Sequence, residues 1–370
     1  MNDLLYWIWL SRVPGIGSKK FINLYKHFGD IEKVYHGKEI DFCGVPKLSK
    51  RDVNSILNNK DLKKADQYLK MVKKQKVDIL LYKDEKYPNL LKEIYDPPAI
   101  LYSRGSMDIE EVSISIVGSR KASYYGLKTA EKLAFQLASL GITIVSGMAK
   151  GIDSYAHRGA LQAKGKTIAV LGCGVDVIYP TENKELMGEI ERKGLVVSEY
   201  PLKTLPKANN FPARNRIISG LSLGTIIIEA GEKSGSLITA EFALEQGRDV
   251  YAIPGNIGTQ YNKGSNNLLK EGAKLVTRVE DILEDLVPYI KTEISSINDE
   301  SNQDQNEFID YKALSKEEKT ILEKIKMGYN QSNDIINLCN YSPSVVNSSL
   351  TMLELKGIIE KHRNLYYVIG

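Results

Sequence analysis

The sequence predicts an α/β protein: a mainly parallel sheet with helices on both faces, between a helical N-terminal block and a small C-terminal block. Three observations predict it. First, one phrase recurs between Ser113 and Gly255: an apolar run ends in a glycine turn, and in most cases a helix pattern follows. The runs are Ile114–Val117, Ile142–Val145, Ile168–Leu171, Thr225–Ile228 and Val250–Ile253. Second, apolar stripes at helical spacing lie between them: Leu127, Ala130, Ala134 and Leu137; Ala156, Ala160 and Ala163; Leu186 and Ile190; Leu237, Ala240 and Leu244. Gly141, Gly165, Gly194 and Gly247 stop these helices. Third, strand and helix alternate throughout, which parallel pairing with crossover helices requires.

The bulk numbers set limits. The chain has 370 residues, room for two or three domains and a large core. It is 42% hydrophobic and 26% charged, as soluble globular proteins are. A net charge of +4 excludes a histone-like polycation, so any nucleic-acid surface must come from local clustering. Cys43, Cys173 and Cys339 are odd in number and far apart, which argues against a disulfide framework or a zinc site and for a reducing cytoplasm. No apolar run approaches the roughly 20 residues that span a bilayer, so no membrane partner is expected. The apolar start, Leu4–Leu10, lacks a basic lead-in and reads as a core helix rather than a signal peptide.

The first block, residues 1–104, reads as helical. Val13-Pro14-Gly15-Ile16-Gly17-Ser18-Lys19-Lys20, followed by Phe21, Leu24, Tyr25 and Phe28, fits two helices joined by a Gly-x-Gly hairpin. Such a helix-hairpin-helix can offer hairpin N–H groups to a nucleic-acid phosphate. The same text fits equally a tight turn that only packs helices. The second block, 105–287, is the α/β unit. Residues 288–312 are rich in Asn, Gln, Ser, Asp and Glu and read as a flexible linker. In the third block, 313–370, three short helix patterns precede Ile358-Ile359 and Tyr366-Tyr367-Val368 around Arg363-Asn364, the order of a winged helix. Its third helix brings only Ser344, Asn347, Ser348 and Thr351 where a base reader brings Arg or Lys. Protein docking or an accessory role is therefore preferred to DNA reading.

Three catalytic patterns fail on context. Gly220-Leu221-Ser222-Leu223-Gly224 fits G-x-S-x-G, but a helix precedes it and a strand follows, the reverse of a nucleophile elbow. Gly165-Lys166-Thr167 resembles a P-loop end without its leading glycine, and Gly172-x-Gly174 lacks the third glycine of a dinucleotide fingerprint. Four histidines without HExxH give metal hydrolysis no support; neither metal nor cofactor is expected.

The turns carry the functional expectation. In an open parallel sheet they converge on the carboxyl edge, and turns that open helices aim N–H groups at anions. Gly118-Ser119-Arg120-Lys121 closes the first run: small residues for close approach, then an arginine able to pair bidentately with phosphate. Gly147-Met148-Ala149-Lys150-Gly151-Ile152-Asp153 closes the second, with Lys150 a point charge for phosphate and Asp153 read as the cap of the next helix. His157, one turn on, reads as a hydrogen-bonded structural histidine. Lys233 precedes Ser234-Gly235-Ser236, an anion cup and an ordinary N-cap at once. In Asn209-Asn210-Phe211-Pro212-Ala213-Arg214-Asn215-Arg216, Pro212 marks a helix start and Phe211 stands just before it. Phe211 so placed either stacks on a base or staples the helix to the sheet. Arg214 shares a face with Ile217, Ile218 and Leu221 and reads as partly buried; Arg216 points elsewhere, free to meet phosphate.

Gly118-Ser119-Arg120, Ser146–Asp153 with Ala156-His157, Phe211-Pro212 with Arg214–Ser222, and Ala252-Ile253-Pro254-Gly255-Asn256 resemble the DNA-processing protein A family (DprA/Smf). Tyr87-Pro88, Asp96-Pro97-Pro98 and Leu101-Tyr102 resemble its lead-in segment. The resemblance implies a Rossmann-like domain that binds single-stranded DNA and loads a RecA-type recombinase during natural transformation, as a homodimer and without catalysis. It implies a helical, SAM-like accessory domain before that domain and a winged helix after it, and it includes Asn215 with Arg214 among the supporting residues. The family often has a basic or aromatic residue just before Phe-Pro. Here Ala208, Asn209 and Asn210 stand there, and Lys207 is the candidate substitute.

A second reading is an enzyme. Nucleotide phosphoribohydrolases use the same Rossmann variant with a turn resembling P-G-G-x-G-T-x-x-E. Gly235-Ser236 echoes that turn, but Thr239 stands where the acid belongs and Glu241 comes two later. A third reading, a scaffold only, leaves the cationic turns without a purpose.

Overall fold

The structure is a computed structural model that describes residues 3–105, 112–286, 314–362 and 365–368. The chain divides into two compact units, Met1–Thr277 and Arg278–Gly370.

The first unit begins with helices α1 (Asp3–Ser11), α2 (Ser18–Phe28), α3 (Ile31–His36), α4 (Lys50–Asn58) and α5 (Leu62–Lys74). Helix α1 is short, but Tyr6 to Leu10 are all buried, so packing rather than propensity holds it. Its Trp7 ring lies 5.0 Å from Phe21 and 5.2 Å from Tyr25, which ties α1 to α2 by aromatic contact. Ser49 and Asp52 form a capping box at α4, and Asp61 caps α5.

The sheet follows. Its elements are β1 (Asp78–Leu81), α6 (Asn89–Lys92), β2 (Ile100–Gly105), β3 (Ser113–Val117), α7 (Tyr124–Ser139), β4 (Thr143–Ser146), α8 (Ile152–Gln162), β5 (Thr167–Val170), α9 (Lys184–Lys193), β6 (Leu195–Ser198), α10 (Asn210–Gly220), β7 (Gly224–Ile227), α11 (Gly235–Glu245), β8 (Asp249–Ala252), α12 (Lys263–Lys270) and β9 (Lys274–Leu275). The strand order is β1-β2-β6-β5-β4-β3-β7-β8-β9. All pairs from β6 to β9 are parallel, and β2 runs antiparallel to both β1 and β6. The chain winds outward from β3 to β6 and then returns to place β7 on the other side of β3. The crevice between β3 and β7 is thus the topological switch point, where open α/β sheets bind ligands.

Both faces are covered, and the two-residue period of a strand shows how. Ile168 and Val170 join a core with Ile217, Ile218 and Ala240. Ala169, their neighbour on the opposite face, joins Val196 in a core with Trp7, Phe21 and Leu24 of the helical block.

Two expected boundaries move. The break read at 104/105 falls inside β2, because the apolar residues Ile100, Leu101 and Tyr102 are buried as part of the sheet. The first block is therefore not all helical, and it belongs to one unit with the sheet. The break read at 287 compares with a division at Thr277/Arg278.

In the second unit, residues 280–286 are helical. Helices follow at Lys316–Lys326, Ser332–Leu338 and Pro343–Leu355, with an antiparallel ribbon of Ile359–His362 and Leu365–Val368. Ile321, Ile335, Val346, Leu350 and Ile359 form its core. Ser315 with Glu318 and Ser342 cap the first and third of the three later helices. The linker expected at 288–312 and the turn Arg363-Asn364 lie outside the described residues.

Candidate functional site

A cleft of about 680 Å³ opens at the carboxyl ends of β3 and β7, within the range of small-ligand sites. Gly118, Ser119, Arg120 and Lys121 line it from the β3 turn, Phe211, Arg214 and Asn215 from α10, and Ser234, Gly235 and Ser236 from the start of α11. The Ser119 N–H donates to the Glu229 carbonyl at 2.7 Å, locking the β3 turn to the β7 turn. Arg120 has its guanidinium carbon 5.3 Å from the Phe211 ring centre, a cation–π arrangement that keeps its N–H groups open to a ligand. The Phe211 ring lies against Gly172, where a side chain would put a carbon 2.9 Å from the ring. Its other neighbour is Tyr179, at 5.3 Å.

A buried frame holds these groups. Arg214 is 3% exposed and donates to the Gly147 carbonyl at 2.7 Å, to the Val170 carbonyl, and to Asn215 Oδ1 at 3.2 Å. A Cβ on Gly147 would fall 2.7 Å from both the Arg214 guanidinium and the Asp153 carboxylate, so only glycine fits between them. Burial pushes the Asp153 carboxyl up to about 6, against the pull of the Arg214 charge and the Ala149 N–H. Asn215 donates to the Gly235 carbonyl at 3.1 Å and so fixes α11 against α10. His157 is fully buried. Its Nδ1 lies 2.7 Å from the Thr167 hydroxyl, which donates to the Ile144 carbonyl at 2.8 Å. That hydroxyl can only accept from the imidazole, so Nδ1 carries the proton and Nε2 has no partner.

Four expectations change. Arg216 is not free. It is 8% exposed and makes a bidentate pair with Glu199 at 2.7 and 2.6 Å, with Asp96 at 3.4 Å. Burial lowers its pKa, but Glu199 outweighs burial and raises it. Two residues along a helix turn a side chain by about 200°, which sends Arg216 away from the face that Arg214 shares with the cleft. Asp153 is no N-cap: it sits in the first turn of α8, and its Oδ2 accepts the Ala149 N–H at 3.3 Å, tying the β4 turn back onto the helix. The start of α7, after the β3 turn, is no anion site, because Glu229 already occupies it. The Glu229 carboxylate accepts from Ser123 N and Oγ at 2.8 and 2.6 Å. Phe211 lies inside the first turn of α10, which begins at Asn210 rather than at Pro212.

Of the remaining cations, Lys150 pairs with Glu182 at the surface. Lys207 and Lys233 are exposed, outside the cleft lining but beside residues that form it, Pro206 and Ala208 for one and Ser234 for the other. Tyr179 was not legible as a site residue in the sequence, where its one sign was its place before Pro180 in a Gly-rich turn. Nor was Glu229, an acid inside a glycine turn.

Residues 78–287 match the model of the DNA recombination-mediator protein A family. The Smf protein of Synechocystis sp. is 37% identical over 290 residues, 77% of this chain and 73% of that protein. The DNA processing protein DprA of Streptococcus pneumoniae is 50% identical over 201 residues, 54% of this chain and 71% of that protein. Among solved structures, DNA processing protein A from S. pneumoniae superposes with a TM-score of 0.67 at 38% identity, covering 77% of this chain and 97% of that one. DNA processing protein A from Helicobacter pylori, whose structure describes its single-stranded DNA binding mode, gives a TM-score of 0.52 at 32% identity, covering 57% and 96%. The family match thus spans the sheet from β1 to β9, and with it the cleft: the chain belongs to the DNA recombination-mediator protein A family.

Proposed function

We propose that the cleft binds single-stranded DNA without reading its sequence, and that the protein holds the strand for a RecA-type recombinase, acting as a cytoplasmic homodimer and without catalysis. One observation carries this reading. Arg120 forms no ion pair among the described residues and lies over Phe211, in a cleft whose one acidic lining residue, Asp153, is buried beside Arg214 and feels the Arg120 charge only at longer range. An open guanidinium beside two aromatic rings, Phe211 and Tyr179, suits a phosphate and a base in succession. Lys121, Lys207 and Lys233 also lack an acid partner among the described residues, so the rim of the cleft is cationic. The relative from H. pylori, described as binding single-stranded DNA, supports the same ligand class. Hydrolysis is less well supported: Thr239 lines the cleft where a phosphoribohydrolase needs its acid, and Glu241 is exposed outside it.

The test is a titration of the full chain with oligo-dT and with duplex of equal length at moderate salt. The reading predicts tighter binding to oligo-dT, and loss of that binding with Arg120→Glu. Equal affinity for the two forms, or release of free base from AMP or CMP at a catalytic rate, would contradict it.

A further inference from the structure

We propose that a second hollow, rimmed by Tyr125 and Tyr261 at the carboxyl ends of β3, β7 and β8, is a base-stacking station for the DNA strand as it leaves the cleft. The inference rests on the single-stranded DNA reading of the cleft. The hollow measures about 440 Å³ and is lined by Ser123, Tyr125, Glu229, Asn256, Tyr261 and Asn262 among others. Tyr125 is 61% exposed and Tyr261 47% exposed. Exposed phenol rings on a cavity rim offer the sequence-tolerant π-faces on which bases stack.

Three features select a continuing nucleic-acid strand as the occupant. Continuity is the first. Lys121 lines the cleft and Ser123 lines the hollow, so their Cα atoms lie within about 7.6 Å, two peptide units apart. Charge is the second. Lys121 and Lys233 stand in the β3 and β7 turns, each of which lines both cavities, and both are exposed and without an ion pair among the described residues. The third is the division of chemistry. The inner wall carries the Glu229 carboxylate, engaged with Ser123, which repels a phosphate and leaves the hollow to a base while the backbone follows the lysines. The rim is also preformed. Gly255 donates to Asn266 Oδ1 at 3.1 Å, and Asn262 donates to the Thr259 hydroxyl at 2.9 Å, so the loop that presents Tyr261 is tied at both ends.

The experiment titrates the full chain with oligo-dT of about 5 and about 16 nucleotides, lengths at the two ends of common single-strand site sizes. Tyr125→Ala and Tyr261→Ala are expected to weaken binding of the long oligomer by about fivefold or more each, with Tyr→Trp restoring it. Binding of the short oligomer stays unchanged. Arg120→Glu weakens both, so unchanged binding of both oligomers to Arg120→Glu marks failure of the cleft reading itself. Unchanged long-oligomer affinity in both alanine variants overturns the second station while leaving the cleft intact. A lower solution mass in those variants would assign the hollow to contact between copies and overturn the station too. Photo-crosslinking of the wild-type chain to bromouracil-containing oligomer gives an independent readout: adducts at Tyr125 or Tyr261 support the station, and adducts confined to Phe211 and Tyr179 overturn it.

Discussion

Residue by residue, α10 assigns its charged and aromatic groups opposite tasks. Arg214 supports the cleft from beneath, Phe211 faces it, and Arg216 is used in a buried pair with Glu199. Removing one partner of a buried ion pair leaves the other charge uncompensated. Arg216→Ala is therefore expected to destabilise the fold by about 3–5 kcal/mol while single-strand affinity of the folded protein persists. Phe211→Ala should show the reverse: little change in melting temperature and a loss of about 1–3 kcal/mol in oligo-dT binding. Thermal melts and titrations of the two variants check this, and an exchange of the two patterns would contradict it. The difference between Arg214 and Arg216 was only half legible in the sequence. Helical spacing identifies Arg214 as inward-facing, but Glu199, the partner of Arg216, stands 17 residues earlier at the end of β6. Only the tertiary return of the chain brings them together. Tyr179 was hidden for the same reason: its role depends on where Phe211 lies, not on its neighbours in sequence.

Among the elements, α8 and its strand neighbours hold a group that reports on folding. Burial, reinforced by the Arg214 charge, drives the His157 pKa down from 6.5 to about 3. A depressed folded-state value means that the unfolded chain takes up the proton first. The contribution of His157 is then fully present above pH 6.5 and is lost as pH falls from there towards 3, at up to about 1.4 kcal/mol per pH unit. Melting temperatures of the wild type should fall through this window more steeply than those of His157→Gln. Equal acid limbs would show that His157 is not the titrating group. The elements themselves were mostly legible. The five apolar runs are β3, β4, β5, β7 and β8, because strands buried on both faces read as continuous apolar stretches. Strand β6 escaped, being four residues that follow the end of α9 directly. Strands β1 and β2 escaped because they lie in a segment dominated by helix signals. Neither the antiparallel edge nor the adjacency of β3 and β7 was legible, since hydrogen bonds between distant segments decide both.

In the whole molecule, the sheet sorts the chain's modest positive charge. Acids near the carboxyl edge are engaged, Glu229 with Ser123, Glu182 with Lys150 and Glu199 with Arg216. Arg120, Lys121, Lys207 and Lys233 are left unmatched among the described residues. A net charge of +4 therefore suffices for a local cationic rim, because these four residues stand in or beside the cleft lining. No helix among the described residues is long and apolar enough to cross a membrane. The most direct test of this charge sorting is the salt dependence of oligo-dT affinity, measured on the full chain with and without Arg120→Ala. A steep linear fall of log affinity with log salt is expected, with a slope shallower by about 0.7 in the variant, the share of one phosphate contact on a single strand. An affinity indifferent to salt, or an Arg120→Ala variant with the slope and affinity of the wild type, would contradict it.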